Sequence, residues 1–273
     1  MTDRTVLTTG ANSGIGLACV LELARRGYTS VGSVRSEEKA EIVHAAAAEA
    51  GVSVSTVLLD VTDAEACEEV VQASGPLYGL VNNAGYGVTG AVEDVPDDEA
   101  RAVLETMVLA PMRLARLALP GMRSSGGGRI VNISSIMGRT TTPLTGWYQA
   151  SKHALEAVSD ALRIEVAGAG VKVVLVEPGG FKTGIWEEFE RDVAKRGDSR
   201  FSSAYARSQQ MMKLAEPIMG NPDRVAKVVA SVLGARSPRP RYLVGQDAQL
   251  IALADQMTPT RVKDLVTRFS LGL

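Results

Sequence analysis

The chain has 273 residues, 45% of them apolar and 22% charged, and a formal net charge of −2. That length fits a single α/β domain with a large core, and the balanced charge supplies no basic field to hold nucleic acid or anionic lipid. Cys19 and Cys67 lie in alanine-rich helical patterns, so two buried thiols are expected and not a disulfide framework. No apolar run approaches the roughly 18 residues that span a bilayer. The first residues carry neither a charged leader nor a long apolar stretch, so a cytoplasmic location is expected.

Short β-branched runs alternate with longer alanine-, leucine- and charge-rich stretches, the pattern of β-α-β units and a parallel sheet. The spacing predicts a first strand at Thr5–Thr9 and a helix at Ile15–Arg26 that stops at Gly27. Strands follow at Ser30–Val34, Ser53–Leu59 and Gly79–Val81, with helices at Glu37–Ala50 and Asp63–Ala73. Thr62 and Glu65, three residues apart, read as a capping box for the second of these helices. A long helical region runs from about Asp97 to Arg123, where Pro111 and Pro120 each predict a kink or break. A strand at Arg129–Ile133, a helix at Trp147–Ala167 and a strand at Lys172–Glu177 come next. From Gly180 to about Asn221 the periodicity fails, and an irregular stretch of that length inside a compact domain is expected to be a lid or binding loop. A helix at Asp223–Leu233, a short strand at Tyr242–Val244 and a helical tail complete the chain. The expected architecture is one α/β domain over residues 1–273, a Rossmann-like doubly wound parallel sheet with helices on both faces.

The segment Thr9-Gly10-Ala11-Asn12-Ser13-Gly14-Ile15-Gly16 joins the first strand to the first helix. In that setting glycines let the backbone approach a pyrophosphate, and the unpaired N–H groups and helix dipole face the anion. The chain has no Gly-Lys-Ser/Thr of a phosphate-transferring loop. An acid at the end of the second strand would take ribose hydroxyls, but Val34 stands there and Arg35 follows it, a planar donor fork suited to a 2′-phosphate. NADP(H) is therefore favoured over NAD(H).

Further on, Tyr148-Gln149-Ala150-Ser151-Lys152 puts a phenol and an ammonium on one helical face. A nearby cation favours phenolate and brings a tyrosine into range for acid–base work. With Asp60-Val61, Asn82-Asn83-Ala84-Gly85, Ser134-Ser135 and Pro178-Gly179 with Thr183, each after its own strand, the chain resembles the short-chain dehydrogenase/reductase family. Its hydroxysteroid and retinol dehydrogenase members are the most similar in character. The resemblance implies that Tyr148 is the acid–base group, that Lys152 lowers its pKa and holds the nicotinamide ribose, and that Ser135 steadies the substrate oxygen. It also implies that Gly10, Asn12, Ser13, Gly14, Ile15 and Gly16 cradle the pyrophosphate and that Asp60 and Val61 meet the adenine. Asn82, Ala84 and Gly85 would line the cofactor floor, and Pro178, Gly179, Phe181 and Thr183 would grip the nicotinamide end. Homodimers or homotetramers are the implied assemblies.

One position departs from the family's pattern. Met107 stands where an asparagine usually orders a water next to the lysine, and a thioether cannot supply those hydrogen bonds. Trp186, Phe189, Met211 and Met212 make the Gly180–Asn221 segment apolar, so with Met137 it suits a hydrophobic alcohol or carbonyl. A cofactor-sensing binding protein without chemistry is the second reading, supported by Met107 alone. A dehydratase or epimerase is a third, weakened by the short chain after Asn221. Neither His44 nor His153 lies in a ligand-like cluster, so no metal is expected.

Overall fold

The computed structural model describes residues 4–273, with the side chains of residues 185–187 outside the description. Seven strands form one parallel sheet in the order β3-β2-β1-β4-β5-β6-β7. They are β1 (Thr5–Thr8), β2 (Thr29–Val34), β3 (Ser55–Leu58), β4 (Gly79–Asn82), β5 (Gly128–Ile133), β6 (Val171–Pro178) and β7 (Arg241–Val244). The strand order reverses between β1 and β4, the crevice where open α/β sheets bind ligands.

Alternation along the central strands builds a core on each face. Leu7, Leu80, Ile130 and Val173 pack on one side with α3 (Ala64–Ala73) and α5 (Ala110–Ser124). Val6, Val81, Val131 and Val174 pack on the other with α1 (Gly14–Arg25) and α9 (Asp223–Gly234). Helix α2 (Glu37–Glu49) covers the β2–β3 side through Ala40, Val43 and Ala47. Cys19 and Cys67 are both buried and free, as the composition suggests.

Three features differ from the reading of the sequence. Helix α3 is capped by Asp63, whose carboxylate accepts from the Glu65 and Ala66 amides, and not by a Thr62–Glu65 box. Thr62 instead donates its hydroxyl and amide to Asp60, because Asp60 already turns the chain there. The segment read as irregular holds α7 (Ile185–Lys195) and α8 (Ser202–Ala215), with a 3₁₀ turn at Glu216–Ile218. Phe189 and Val193, four residues apart, share a face of α7, and Val193 packs with Ala204 and Tyr205 of α8, but charged residues crowd between these positions in the sequence. The long helical region splits into α4 (Asp97–Leu104) and α5, separated by a π-turn at Glu105–Leu109. That break lies just before Pro111, whereas α5 runs on through Pro120.

Helix α6 (Gly146–Glu165) buries Ser151, Lys152, Leu155, Glu156 and Ser159. A chain of buried amides fastens it to the sheet: Asn82 Nδ2 donates to Asn132 Oδ1 (2.8 Å), and Asn132 Nδ2 to Ser159 Oγ (2.7 Å). The Asn132 of a glycosylation sequon is thus fully buried. Replacing Asn132→Leu removes the donor to Ser159 and leaves Asn82 only its 3.3 Å bond to the Pro111 carbonyl, and leaving buried polar groups unpaired costs about 1–3 kcal/mol. Denaturant unfolding should show a loss of about 2–3 kcal/mol with an unchanged slope; a loss under about 0.5 kcal/mol would mean that the chain of amides is not formed.

Candidate active site

The β1–α1 turn is built for close approach. Gly10 and Gly14 take left-handed φ values of 66° and 52°, and a Cβ on Gly16 would lie 2.1 Å from the Gly10 carbonyl oxygen. Ser13 precedes α1 in an extended conformation without a side-chain cap, so the first N–H groups of the helix face outward. Asn83 holds the turn in shape, donating Nδ2 to the carbonyls of Thr9 (2.9 Å) and Gly10 (3.2 Å). Thr9 Oγ1 returns two contacts by accepting the amides of Asn83 and Ala84. These glycines and open amides fit a dinucleotide pyrophosphate.

Around that turn stand most of the expected contacts. Arg35 is exposed at the end of β2. It lies near enough to Asp60 to help the Thr62 hydrogen bonds hold that carboxyl below its ordinary range. Val61 is buried, and its carbonyl accepts from Arg113 Nη1 at 2.9 Å. Thr183 comes over the turn from the far side, since a Cβ on Gly14 would meet its methyl at 3.1 Å. The Gly180 amide donates to Asp247 Oδ2 (2.6 Å), and a Cβ on Gly179 would collide with that carboxylate. Two side chains depart from expectation. Asn82 points into the core toward Asn132 and the Pro111 carbonyl, and it is Asn83 that faces the glycine turn. Phe181 is likewise buried, its ring against Gly220.

Ser135 follows β5 and accepts the Met137 amide on Oγ at 3.1 Å. Met137 is partly buried against α10 (Gln246–Met257). Tyr148 opens α6 and packs with Tyr86, Trp147, Val103 and Met107. Lys152, one turn on, is buried and donates Nζ to the Ile133 carbonyl at 2.9 Å. It sits 5.8 Å from the centroid of the Tyr148 ring. The expected lowering of the tyrosine does not follow from this arrangement. Burial pushes the Tyr148 phenol up, Ser135 pulls it back by a hydrogen bond, and Glu188 raises it further. The Lys152 ammonium is itself pulled down by burial to about 8, only partly offset by Glu156.

Sequence reasoning missed three parts of the site. Glu188 on α7 accepts the Gly87 amide at 2.8 Å, and Asp192, one turn later, accepts the Thr89 amide at 2.8 Å. Two carboxylates four residues apart on a helix thus read alternate amides of the segment leaving the cofactor floor; the Glu-x-x-x-Asp spacing was their only signal. Behind the site, Glu177 is fully buried and ion-paired with Arg139 (2.7 Å) and Arg241 (3.2 Å), while Arg241 also holds Glu156 (3.0 Å). This cluster ties the end of β6, the loop after Ser135 and helix α6 together. The third is the π-turn. The Ala110 amide donates to Glu105, five residues back, and Pro111 has no N–H, so the Thr106 carbonyl lacks its ordinary helical donor. Met107 lies below, its sulfur against Gly85. The side chain of Trp186 lies outside the described residues. Among them no group of His, Cys, Asp and Glu could hold a metal, and no helix is long and apolar enough to cross a membrane.

A glycine turn at the sheet's switch point and a Ser–Tyr–Lys set at the same edge define a dinucleotide-dependent oxidoreductase domain. Residues 4–194 match the family of short chain dehydrogenases, and the chain belongs to that family. It is 34% identical over 267 residues to the uncharacterized oxidoreductase YusZ of Bacillus subtilis, covering 95% of each chain. It is 32% identical to retinol dehydrogenase 7 of Rattus norvegicus, covering 97% of this chain and 87% of that one. Among solved structures, a short-chain dehydrogenase from Streptomyces avermitilis superposes with a TM-score of 0.79 at 30% identity, covering 98% and 96% of the chains. A variant of actinorhodin polyketide ketoreductase with NADPH gives 0.76 at 29% identity, covering 91% and 97%.

The Lys152 shift carries a signed consequence. A folded-state value near 8 against an ordinary 10.5 means that the unfolded chain binds the extra proton between those pH values. Burial of the charge is opposed most below pH 8, and stability from this group rises as pH climbs from about 8 to 10.5. Urea unfolding of the protein and of Lys152→Met should therefore diverge in slope against pH across that window. Parallel curves would show that the ammonium is not buried.

Proposed function

We propose that the chain is an NADP(H)-dependent oxidoreductase interconverting a hydrophobic secondary or primary alcohol and its ketone or aldehyde. The observation that carries this reading is the placement of Ser135, Tyr148 and Lys152 at the sheet edge that also bears the glycine turn. When bound, the nicotinamide would supply or accept the hydride, and the protein's part is position and electrostatics. Gly10 to Gly16 would hold the pyrophosphate, Asp60 and Val61 the adenine, and Lys152 the ribose hydroxyls. Arg35, exposed and next to no acid at position 34, would take the 2′-phosphate.

Tyr148 would give its phenol proton to the substrate oxygen in reduction and recover it in oxidation. That direction suits a phenol which burial holds in its protonated form. Ser135 would donate its hydroxyl to the same oxygen and steady the charge that develops there. Beyond Lys152 a water held by the main-chain carbonyl freed at the π-turn would hand the proton on to solvent, the carbonyl standing in place of the amide that Met107 lacks. The segment 180–221 would act as a lid, latched by Glu188 and Asp192, with Met137 and Trp186 in contact with substrate. The likeness to retinol dehydrogenase 7 supports an apolar substrate.

NADPH consumption across ketones of graded size and polarity tests the reading. Tyr148→Phe should lower kcat by about 10²-fold or more while cofactor affinity stays nearly constant; undiminished turnover would overturn the mechanism. Arg35→Ala should weaken NADPH about tenfold to a hundredfold, the worth of a hydrogen bond to a charged group, and leave NADH almost unchanged. A wild-type preference for NADH would remove the cofactor assignment.

A further inference from the structure

Helix α7 holds the segment after Gly85 with two carboxylates, and they differ in what neutralises them. Asp192, on the Thr89 amide, has Lys195 at 3.4 Å and Arg196 at 3.9 Å. Two more carboxylates facing the α7–α8 region are paired as well, Glu99 with Arg196 at 2.6 Å and Glu93 with Arg200 at 2.7 Å. Glu188 stands apart from these. Its Oε2 accepts the Gly87 amide, while Oε1 has no hydrogen-bond partner and no Lys or Arg forms an ion pair with it among the described residues. Burial pushes its carboxyl up, and the Gly87 amide, Arg191 and Arg35 pull it back only in part.

This unpaired carboxylate lies beside the reacting groups. Gly87 follows Tyr86, whose ring packs in one cluster with Trp147, Tyr148 and Met107. Burial is the larger cause of the raised Tyr86 and Tyr148 phenols, and the charge of Glu188 adds to both. A negative charge there opposes the one that develops on a substrate oxygen. Holding an amide does not require that charge, because a glutamine oxygen accepts the same hydrogen bond. For a neutral substrate Glu188 is therefore a cost with no return.

We propose that Glu188 receives an ammonium carried by the substrate, so that the carbonyl compound is an amino ketone, and its alcohol an amino alcohol, on an otherwise apolar chain. The inference rests on the oxidoreductase reading for its chemistry and names the substrate class within it. An ammonium has donors for Oε1 and a charge that offsets the penalty on the substrate oxygen. A hydroxyl would fill Oε1 and leave the carboxylate unneutralised, and an acidic substrate would be repelled. The redox step keeps its balance: the carbonyl carbon takes the hydride of the reduced nicotinamide, its oxygen takes the Tyr148 proton, and the C–N bond stays intact. Half removed from water, such an ion pair is screened less than one on the open surface.

NADPH consumption with octyl ketones whose other arm is aminomethyl, hydroxymethyl or methyl tests the proposal. The aminomethyl ketone should exceed the methyl ketone in kcat/KM by about tenfold to a hundredfold, the worth of a hydrogen bond between charged groups. Glu188→Gln, which keeps an acceptor for the Gly87 amide, should bring that ratio close to one. Asp192→Asn disturbs the other contact of α7 and should leave the ratio at its wild-type value, which separates the charge from any loosening of the helix. Nonylamine, which has no carbonyl, should bind the full chain in calorimetry and bind Glu188→Gln about tenfold more weakly. Equal use of the methyl and aminomethyl ketones overturns the proposal and leaves the oxidoreductase reading in place. An equal gain from the hydroxymethyl arm overturns it in favour of a neutral donor, and a preference that Glu188→Gln retains overturns the assignment to Glu188. If no ketone of the panel is reduced, the chemistry proposed above falls and nonylamine decides the site: weaker binding by Glu188→Gln upholds it, and equal binding overturns it.

Discussion

Helix α6 is held on the sheet by buried polar contacts, and the place of every reacting group follows from that attachment. Lys152 donates to the Ile133 carbonyl, Asn132 to Ser159, and Arg241 reaches across from β7 to Glu156. Each bond joins α6 to a strand whose carboxyl end carries part of the site. Apolar packing alone is non-directional and would tolerate a slide of the helix along the sheet. Hydrogen bonds of fixed length do not tolerate it, so Tyr148 is registered against Ser135 through contacts that neither residue makes.

The same attachment explains the electrostatics. Burying an ammonium lowers its proton affinity, and burying a phenol raises its own, so burial separates the two groups in pKa and leaves the phenol the firmer holder of its proton. Glu156, Glu177 and their two arginines surround the pair with paired charges, which limits the penalty of keeping Lys152 inside. Met107 fits this picture as packing. Its side chain fills the space under Tyr148 and Gly85, while the π-turn that carries it leaves a carbonyl free.

Much of the fold was legible because a parallel sheet buried on both faces writes itself as apolar runs, and all seven strands lie within a few residues of where the periodicity puts them. The glycine turn and the Tyr148–Lys152 spacing were legible because local backbone geometry demands particular residues. What remained hidden depends on partners distant in sequence. Asn82 and Asn83 are chemically identical neighbours, and only the sheet decides which one faces the core and which the turn. Glu177 reads as one more strand-end acid until Arg139 and Arg241 are brought beside it. The helices of 185–215 escaped notice because their apolar contacts, Val193, Ala204 and Tyr205, are scattered among charges, and Glu188 and Asp192 hold α7 through backbone amides that no hydrophobic pattern records.

Asp247 gives the C-terminal region a mechanical meaning. Its carboxylate accepts the Gly180 amide, and at Gly179 and Gly245 a Cβ would strike it, so three glycines are shaped around one side chain at the start of α10. The loop after β6 is thereby tied to the first turn of a helix whose outer side is apolar. Helix α10 therefore meets the Gly179–Gly180 loop twice, through the Asp247 carboxylate and through β7, whose Val244 carbonyl accepts the Gly179 amide.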